Sequence, residues 1–289
     1  MFNLIQPKIY PKKILDAFLF YNELDLLKVR LAYLGEHIDQ FVITEANIDF
    51  AGKPKPFLLN NELLRSLPFS EKIIYHREYI DLESFFWKIK RIRYQNKKRR
   101  YLWKIQDTQR NSLIKVLKNF SDEDIVIFSD LDEFPSIEAI QQAVNTINSK
   151  TSGANKSTLS LRQVFFYFNI YSSASDEIWH GSIVTLNNVI CRLKPHKLRA
   201  KRNDFPHIEH GGWHFSYFMS EEKIIEKVNA ISDAEELSQF KGLSVDEVRF
   251  KVINKLDLYD RDIFFNNKVP HAIPANLTQL IKKYLPICA

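Results

Sequence analysis

The stretch that most constrains what this chain can fold into is DIVIFSDLDEFP, from Asp124 to Pro135. Its four apolar residues run without a polar break, so the strand they predict, Asp124 to Ser129, needs cover on both faces. Acids at 130, 132 and 133 follow at the carboxyl end of that strand, and Pro135 and Ser136 open a helix to about Ile147. Ligands of open α/β sheets bind in the crevice at that edge. Residues two apart in extended chain point the same way, so Asp130 and Asp132 can aim at one divalent ion. A hard ion such as Mg²⁺ or Mn²⁺ suits them, taking few oxygens from protein and the rest from water and phosphate.

The surrounding pattern alternates strands with helices. Ile14 to Phe20 reads as a buried strand. Asn22 is the expected cap of a helix carrying Leu24, Leu27, Leu31 and Leu34 and closed by Gly35. Ile38 to Thr44 and Lys72 to His76 read as strands, and Tyr101 to Phe120 as a long amphipathic helix. This order predicts an α/β protein with a doubly wound, mostly parallel sheet over the first half. Strand-rich segments are expected at Thr158–Phe168 and Ile183–Leu193. Helices are expected at Ser220–Ala230, at Ser244–Leu256 with Ser244 and Glu247 as a capping box, and at Asn276–Leu285.

Charge is concentrated rather than spread. Nine Lys and Arg and no acid lie between Lys88 and Lys104; without those nine, 32 basic residues face 35 acids. Such a patch meets phosphates, an anionic lipid surface or nucleic acid, or is a solvated helix face. No run approaches the ~18 apolar residues that span a bilayer. The N-terminus is broken by Pro7 and Pro11, and only Cys191 and Cys288 are present. A cytoplasmic protein without a membrane anchor or disulfide framework is therefore expected. Seven glycines against 34 Phe and Tyr predict a rigid aromatic core, with disorder limited to the first residues and to Ser149–Ser157.

Four ordered blocks carry a resemblance: ILDAFLFYNELDLLKVRLAYL, QFVITEANIDFAGKPKPF, IVIFSDLDEFP and GGWHFSYF. Together they resemble glycosyltransferase family 17, nearly continuously over Ile14–Asn60 and Trp103–Ala139 and again at Gly211–Glu221. The family includes an enzyme that adds a bisecting β-1,4-linked N-acetylglucosamine to N-glycan cores. The resemblance implies one GT-A-like domain over residues 1–289. Its parts would be a nucleotide-sugar half at 12–150, an acceptor-side mixed β region at 151–219 and a helical part at 220–289. It further implies UDP-N-acetylglucosamine as donor, a divalent metal, and inversion at the anomeric carbon.

Residue by residue, Asp130 and Asp132 match the family's metal and diphosphate motif, with Glu133 beside it. Asn22 and Glu23 match the pair closing the first strand, where nucleotide base and ribose are received. Glu45 matches the acid ending the second strand, Lys53 the Gly-Lys-Pro loop, Arg110 and Asn111 the Arg-Asn pair, and Trp213 and His214 the Gly-Trp-His block. His214 is expected as a third metal ligand or a phosphate contact, against a plain core histidine. Trp213 is a sugar-stacking candidate or core, Lys53 a diphosphate contact or a loop lysine, and Arg110 a phosphate contact or a structural ion pair.

An inverting transfer needs a general base opposite the leaving diphosphate. Glu209 is favoured among Glu209, Asp204, Asp176 and Glu177, because it stands just ahead of the Gly-Trp-His block. The expected acceptor is a glycan or glycolipid, such as a bacterial surface polysaccharide or lipooligosaccharide. The basic run would give peripheral contact with an anionic membrane, while zinc and nucleic acid are disfavoured. The competing reading is a non-catalytic nucleic-acid or anionic-surface binder using residues 88–104.

Overall fold

A computed structural model of the chain describes residues 12–149, 157–230, 242–263, 265 and 273–288. Strand β1 (Ile14–Phe20) leads to helix α1 (Leu24–Leu34), β2 (Gln40–Ala46), α2 (Asn61–Ser66) and β3 (Ile73–Glu78). Helices α3 (Phe85–Arg93), α4 (Lys98–Ser112) and α5 (Ile114–Leu117) precede β4 (Ile125–Asp130), β5 (Glu133–Pro135) and α6 (Ile137–Asn148). Then come β6 (Thr158–Tyr167), β7 (Ser173–Leu186), α7 (Asn187–Leu193), α8 (Pro195–Ala200) and β8 (His207–Ser216). Helices α9 (Glu221–Ala230), α10 (Val245–Ile253) and α11 (Ala275–Tyr284) follow.

Among the described residues one eight-stranded sheet runs β3-β2-β1-β4-β7-β6-β8-β5. Strands β1 to β4 are mutually parallel, while β7 is antiparallel to both β4 and β6, and β5 to β8. Strands β6 and β8 are parallel, so only β7 and β5 run against the rest. The expected α/β class and doubly wound sheet hold, and the strands after residue 157 extend the same sheet.

Alternation along the strands explains the two covered faces. Phe18, Phe20, Phe41, Ile43, Ile125 and Ile127 pack with α1, α6 and α11. Their neighbours Leu15, Ala17, Val42, Val126 and Phe128 pack with α5, α7 and α8 on the other side. Each such side chain, fully buried, contributes about 1.5–3 kcal/mol. The same alternation turns Asp16 toward α1, placing a carboxylate inside the core.

Several boundaries differ from expectation. Glu23, not Asn22, precedes α1, without a side-chain cap. Gly35 is right-handed helical, so its lack of a side chain serves packing: a Cβ there would lie 2.0 Å from the Phe69 ring. The long helix begins at Lys98 and breaks at Leu113. The segment Ile183–Leu193 ends its strand at Leu186 and turns into α7, whose Asn187 side chain donates to the carbonyls of Leu117 and Ser121. Ser244 closes the capping box of α10 as expected, whereas Pro135 belongs to β5 instead of opening α6, and Ser136 caps that helix. The disorder expected for the first residues and within Ser149–Ser157 falls largely outside the described residues.

Candidate functional site at the carboxyl edge of the sheet

Strands β1 and β4 are parallel neighbours, so their carboxyl ends bring Glu23 and the Asp130–Glu133 turn together. The turn is held from three directions. Arg30, fully buried on α1, donates from Nη1 to the carbonyls of Leu131 (3.2 Å) and Glu133 (2.6 Å) and from Nη2 to Ser129 Oγ (2.6 Å). Its Nε and Nη2 bind Asp16 in a fork. Phe215 N–H donates to the Asp132 carbonyl at 2.8 Å, and β5 pairs with β8 so that Glu133 faces His214 and Pro135 faces Gly212. The two sequence blocks read separately, the acidic turn and Gly-Gly-Trp-His, are thus adjacent strands of one structure. Gly212 makes the approach possible: its φ is +127°, and a Cβ would lie 2.0 Å from the Phe134 carbonyl oxygen.

Cations from the second half of the chain face these acids. Arg199 on α8 reaches Asp130 Oδ2 at 2.5 Å and Glu133 at 2.7 Å. Lys227 on α9 bridges Glu23 (3.0 Å) and Asp132 (3.1 Å). Arg110 on α4 lies 3.4 Å from Asp130, and its buried Nε has no hydrogen-bond partner among the described residues. Burial alone would raise the pKa of both aspartates. Arg199 and Arg110 outweigh it at Asp130, and Lys227 and His214 at Asp132, holding both carboxyls below the usual range. Burial likewise opposes charge on Lys227, yet Asp132 and Glu23 raise its ammonium well above its ordinary value. Asp130, Asp132 and Lys227 are therefore ionised at neutral pH.

Leu19, Tyr21, Glu23, Phe50, Gln106, Arg110, Asp130, Leu131, Asp132 and Lys227 line one open pocket with about 630 Å³ of empty space. Tyr21 and Phe50 form its apolar wall, ring centroids 6.2 Å apart. Burial, then Asp49 and Glu23, push the Tyr21 phenol up to about 12, so it remains a donor.

Of the residues singled out from sequence, Asp130, Asp132, Glu23 and Arg110 meet in this pocket; the others do not line it. Asn22 lines a neighbouring cavity between α1 and the C-terminal segment, with its Oδ1 buried and unpartnered among the described residues. Glu45 is fully buried and accepts from Lys55 Nζ, Tyr75 Oη and the backbone N–H of Leu58 and Leu59, so it anchors the Gly-Lys-Pro loop instead of reaching a ligand. Lys53 is exposed at the tip of that loop. Asn111 pairs with His196 Nδ1 at 2.9 Å and ties α4 to α8.

Glu133 lies behind the pocket. Its carboxylate is fully buried and accepts from Trp179 Nε1, Arg199 and the Asp130 N–H, so it presents no exposed oxygen to a substrate. Trp213 points into the core, edge-on to Tyr33. Strand alternation sends its neighbour His214 the other way, stacked on Trp179 at 4.3 Å with Nε2 3.6 Å from Asp132. Glu209 is displaced most: β8 runs toward the site, so five residues before His214 puts it roughly 16 Å back along the strand. There it pairs with Arg162 and His207 and is largely exposed. Asp204 is exposed on a short turn of helix after α8, and the side chains of Asp176 and Glu177 are outside the described residues.

Arg199, Arg202, Lys227, Tyr21, Phe50 and Gln106 were missed. The aromatic pair flanks motifs already recognised. The cations sit 69 and 95 residues from the acids they serve, and local pattern carries no trace of such partnership.

Among the described residues no three His, Cys, Asp or Glu side chains converge at metal-binding spacing, and His214 stands beside Asp132 without completing a set. Two hard, ionised carboxylates on one pocket nevertheless suit Mg²⁺ or Mn²⁺, which complete their shells with water and phosphate oxygens. Charge agrees. Glu23, Asp130, Asp132 and Glu133 are matched by Arg110, Arg199, Arg202 and Lys227, so the site is balanced as it stands. A diphosphate esterified at both ends carries two negative charges, and arriving with a divalent cation it keeps that balance.

Fold and pocket together describe a doubly wound α/β protein with an acid-lined pocket at the strand ends. The chain belongs to glycosyltransferase family 17, whose profile matches residues 5–263. Over 138 residues, 46% of this chain, it is 30% identical to the β-1,4-mannosyl-glycoprotein 4-β-N-acetylglucosaminyltransferases of Rattus norvegicus and Homo sapiens, and 29% to that of Mus musculus. The matched segment spans 24%, about a quarter, of the length of these relatives. A likeness to a crystal structure of galactosyltransferase LgtC with donor and acceptor sugar analogues covers 66% of this chain and 64% of that one. At 10% identity and a TM-score of 0.31 it carries no argument. Among the described residues no helix is long and apolar enough to cross a membrane.

Proposed function

We propose that this chain is a metal-dependent, inverting glycosyltransferase of the GT-A type. It would move N-acetylglucosamine or a related hexose from a UDP-sugar to a glycan or glycolipid acceptor. The observation that carries this reading is the convergence of Asp130 and Asp132 on one pocket, each ionised and each held by its own cation. Asp130 and Asp132 would hold Mn²⁺ or Mg²⁺, which when bound neutralises charge growing on the leaving diphosphate. Tyr21 and Phe50 offer an apolar wall for the uracil base. Arg110 would meet the diphosphate with its guanidinium, and its place in the pocket wall beside Asp130 supports that role. Lys227 keeps Glu23 and Asp132 together, and Arg199 fixes the rotamer of Asp130 through Glu133.

Titration calorimetry with UDP, with and without Mn²⁺, tests the reading. The transferase predicts metal-dependent binding that Asp132→Ala abolishes. The competing reading, a nucleic-acid or anionic-surface binder without catalysis, predicts no UDP binding under either condition.

A further inference from the structure

Helix α3 is turned inside out relative to an ordinary surface helix. Only Trp87 is buried, packed edge-on against Tyr101 over a small satellite core with Ile48, Ile80, Leu102 and Ile105. At 100° per residue, Phe85, Ile89 and Ile92 fall on the opposite face, and they are 80%, 47% and 68% exposed. Phe86 stands at one flank, 58% exposed. Six of the thirteen large apolar side chains exposed among the described residues lie between Tyr79 and Trp103. An isolated exposed Ile is unremarkable, but a ridge at i, i+4 and i+7 is a surface that water disfavours.

Cations frame this ridge. Lys88 and Arg93 flank it on either side of α3, and Lys97, Lys98, Arg99 and Arg100 follow at the start of α4. The acids nearby, Asp81 and Glu83, sit at the foot of the hairpin, where Glu83 takes Arg91 at 2.8 Å. Lys90 Nζ lies 4.1 Å from the Phe86 ring centre and Arg99 4.8 Å from that of Trp103, so cations and rings share one surface.

We infer that the α3–α4 hairpin is a docking surface for an anionic lipid bilayer. The ridge of Phe85, Ile89 and Ile92 enters the boundary between headgroups and acyl chains, and the flanking Lys and Arg meet lipid phosphates. Nucleic acid fits less well, because two of the three crest side chains, Ile89 and Ile92, are aliphatic and offer bases neither a stacking platform nor hydrogen bonds. The docking surface stands independently of the transfer reading. If both hold, α4 links them: Lys98 lies at its membrane end, and Arg110, twelve residues on, reaches the pocket wall roughly 18 Å away. An acceptor whose lipid part stays in the bilayer would then present its sugar within reach of the site.

Co-sedimentation of the full chain with vesicles tests this, using phosphatidylcholine alone against phosphatidylcholine with about one third phosphatidylglycerol. Expected is at least about tenfold stronger binding to the anionic vesicles, weakened by 1 M salt, where the screening length is only about 3 Å. Phe85→Ser/Ile89→Ser/Ile92→Ser and, separately, Arg93→Gln/Lys97→Gln/Arg100→Gln should each reduce that binding about tenfold or more. Both variants should keep UDP–Mn²⁺ binding and thermal midpoint. Should the apolar variant misfold, the charge variant decides alone. Equal affinity for neutral and anionic vesicles, or variants that sediment like the parent, would overturn the proposal. So would tighter binding to a mixed-sequence single-stranded oligonucleotide that survives loss of the ridge.

Discussion

Arg30 and Asp16 form a two-point ion pair in the core, Nε and Nη2 lying 2.8 and 2.7 Å from the two carboxylate oxygens, with both side chains fully buried. The pair is also a bracket, since Nη1 holds the carbonyls on either side of Asp132. Arg30→Ala should cost about 3–5 kcal/mol, because it leaves Asp16 charged and alone. Asp16→Leu/Arg30→Met removes both charges and should recover only part of this, since the carbonyls of Leu131 and Glu133 still lose their donor. Urea unfolding measures the first effect. Weaker UDP–Mn²⁺ binding by the folded double variant measures the second, and full recovery of both would show that the bracket does nothing for the turn.

Gly212 is irreplaceable for a backbone reason. Alanine there meets both a left-handed φ and the Phe134 carbonyl, so Gly212→Ala should lose about 2–4 kcal/mol. Gly242→Ala is the control: its φ is also positive, at +94°, but a Cβ has open space. It should cost about 1 kcal/mol. Thermal melts of the two variants separate clash from strain.

Glu209 and Asp132 should behave in opposite ways. With Glu209 on the far part of β8, Glu209→Gln should leave donor turnover within about twofold of the parent. Asp132→Asn, inside the pocket, should lower it about 100-fold or more. Hydrolysis of a UDP-sugar in the presence of Mn²⁺ measures both. A large loss in Glu209→Gln would return that residue to the chemistry.

Asp257 gives a pH signature far from the pocket. Burial would raise its pKa, but hydrogen bonds from the Arg261 side chain and from the backbone of Arg261 and Tyr259 hold it below the usual carboxylate range. As pH falls, the unfolded chain therefore takes up its proton first, near about 3.9. The stabilisation is complete above about pH 4 and is lost as pH falls further toward the folded value, at up to about 1.4 kcal/mol per pH unit. Asp257→Asn should be less stable than the parent by a constant margin between about pH 5 and about pH 8, a margin that narrows below about pH 4. A margin that stays flat into acid would contradict the assigned pairing.

Much of the fold was legible because period alone decides it. Ile14–Phe20 and the apolar run before Asp130 read as covered strands, and the Ser244 capping box announced its helix. Asp130 and Asp132 were legible because two acids at a strand end face one crevice. Residues chosen by proximity in sequence to a recognised block fared differently. Glu209 and Trp213 stand beside His214 in the chain, yet strand direction carries one to the wrong end of β8 and alternation turns the other into the core. Glu45 lies at the end of β2 and Glu133 opens β5, but backbone and side-chain donors claimed their oxygens. Which acid faces a pocket and which is consumed in building it depends on contacts that only the folded chain possesses.

The acids of the pocket all precede residue 134, whereas Arg199, Arg202 and Lys227 come much later in the chain. Asp130 and Asp132 repel one another until those cations arrive. A chain still emerging therefore carries an excess of negative charge at the strand ends, eased only by Arg110. Full pairing of these acids waits for α8 and α9 to dock, so the pocket reaches its final charge only when the last of those helices is in place.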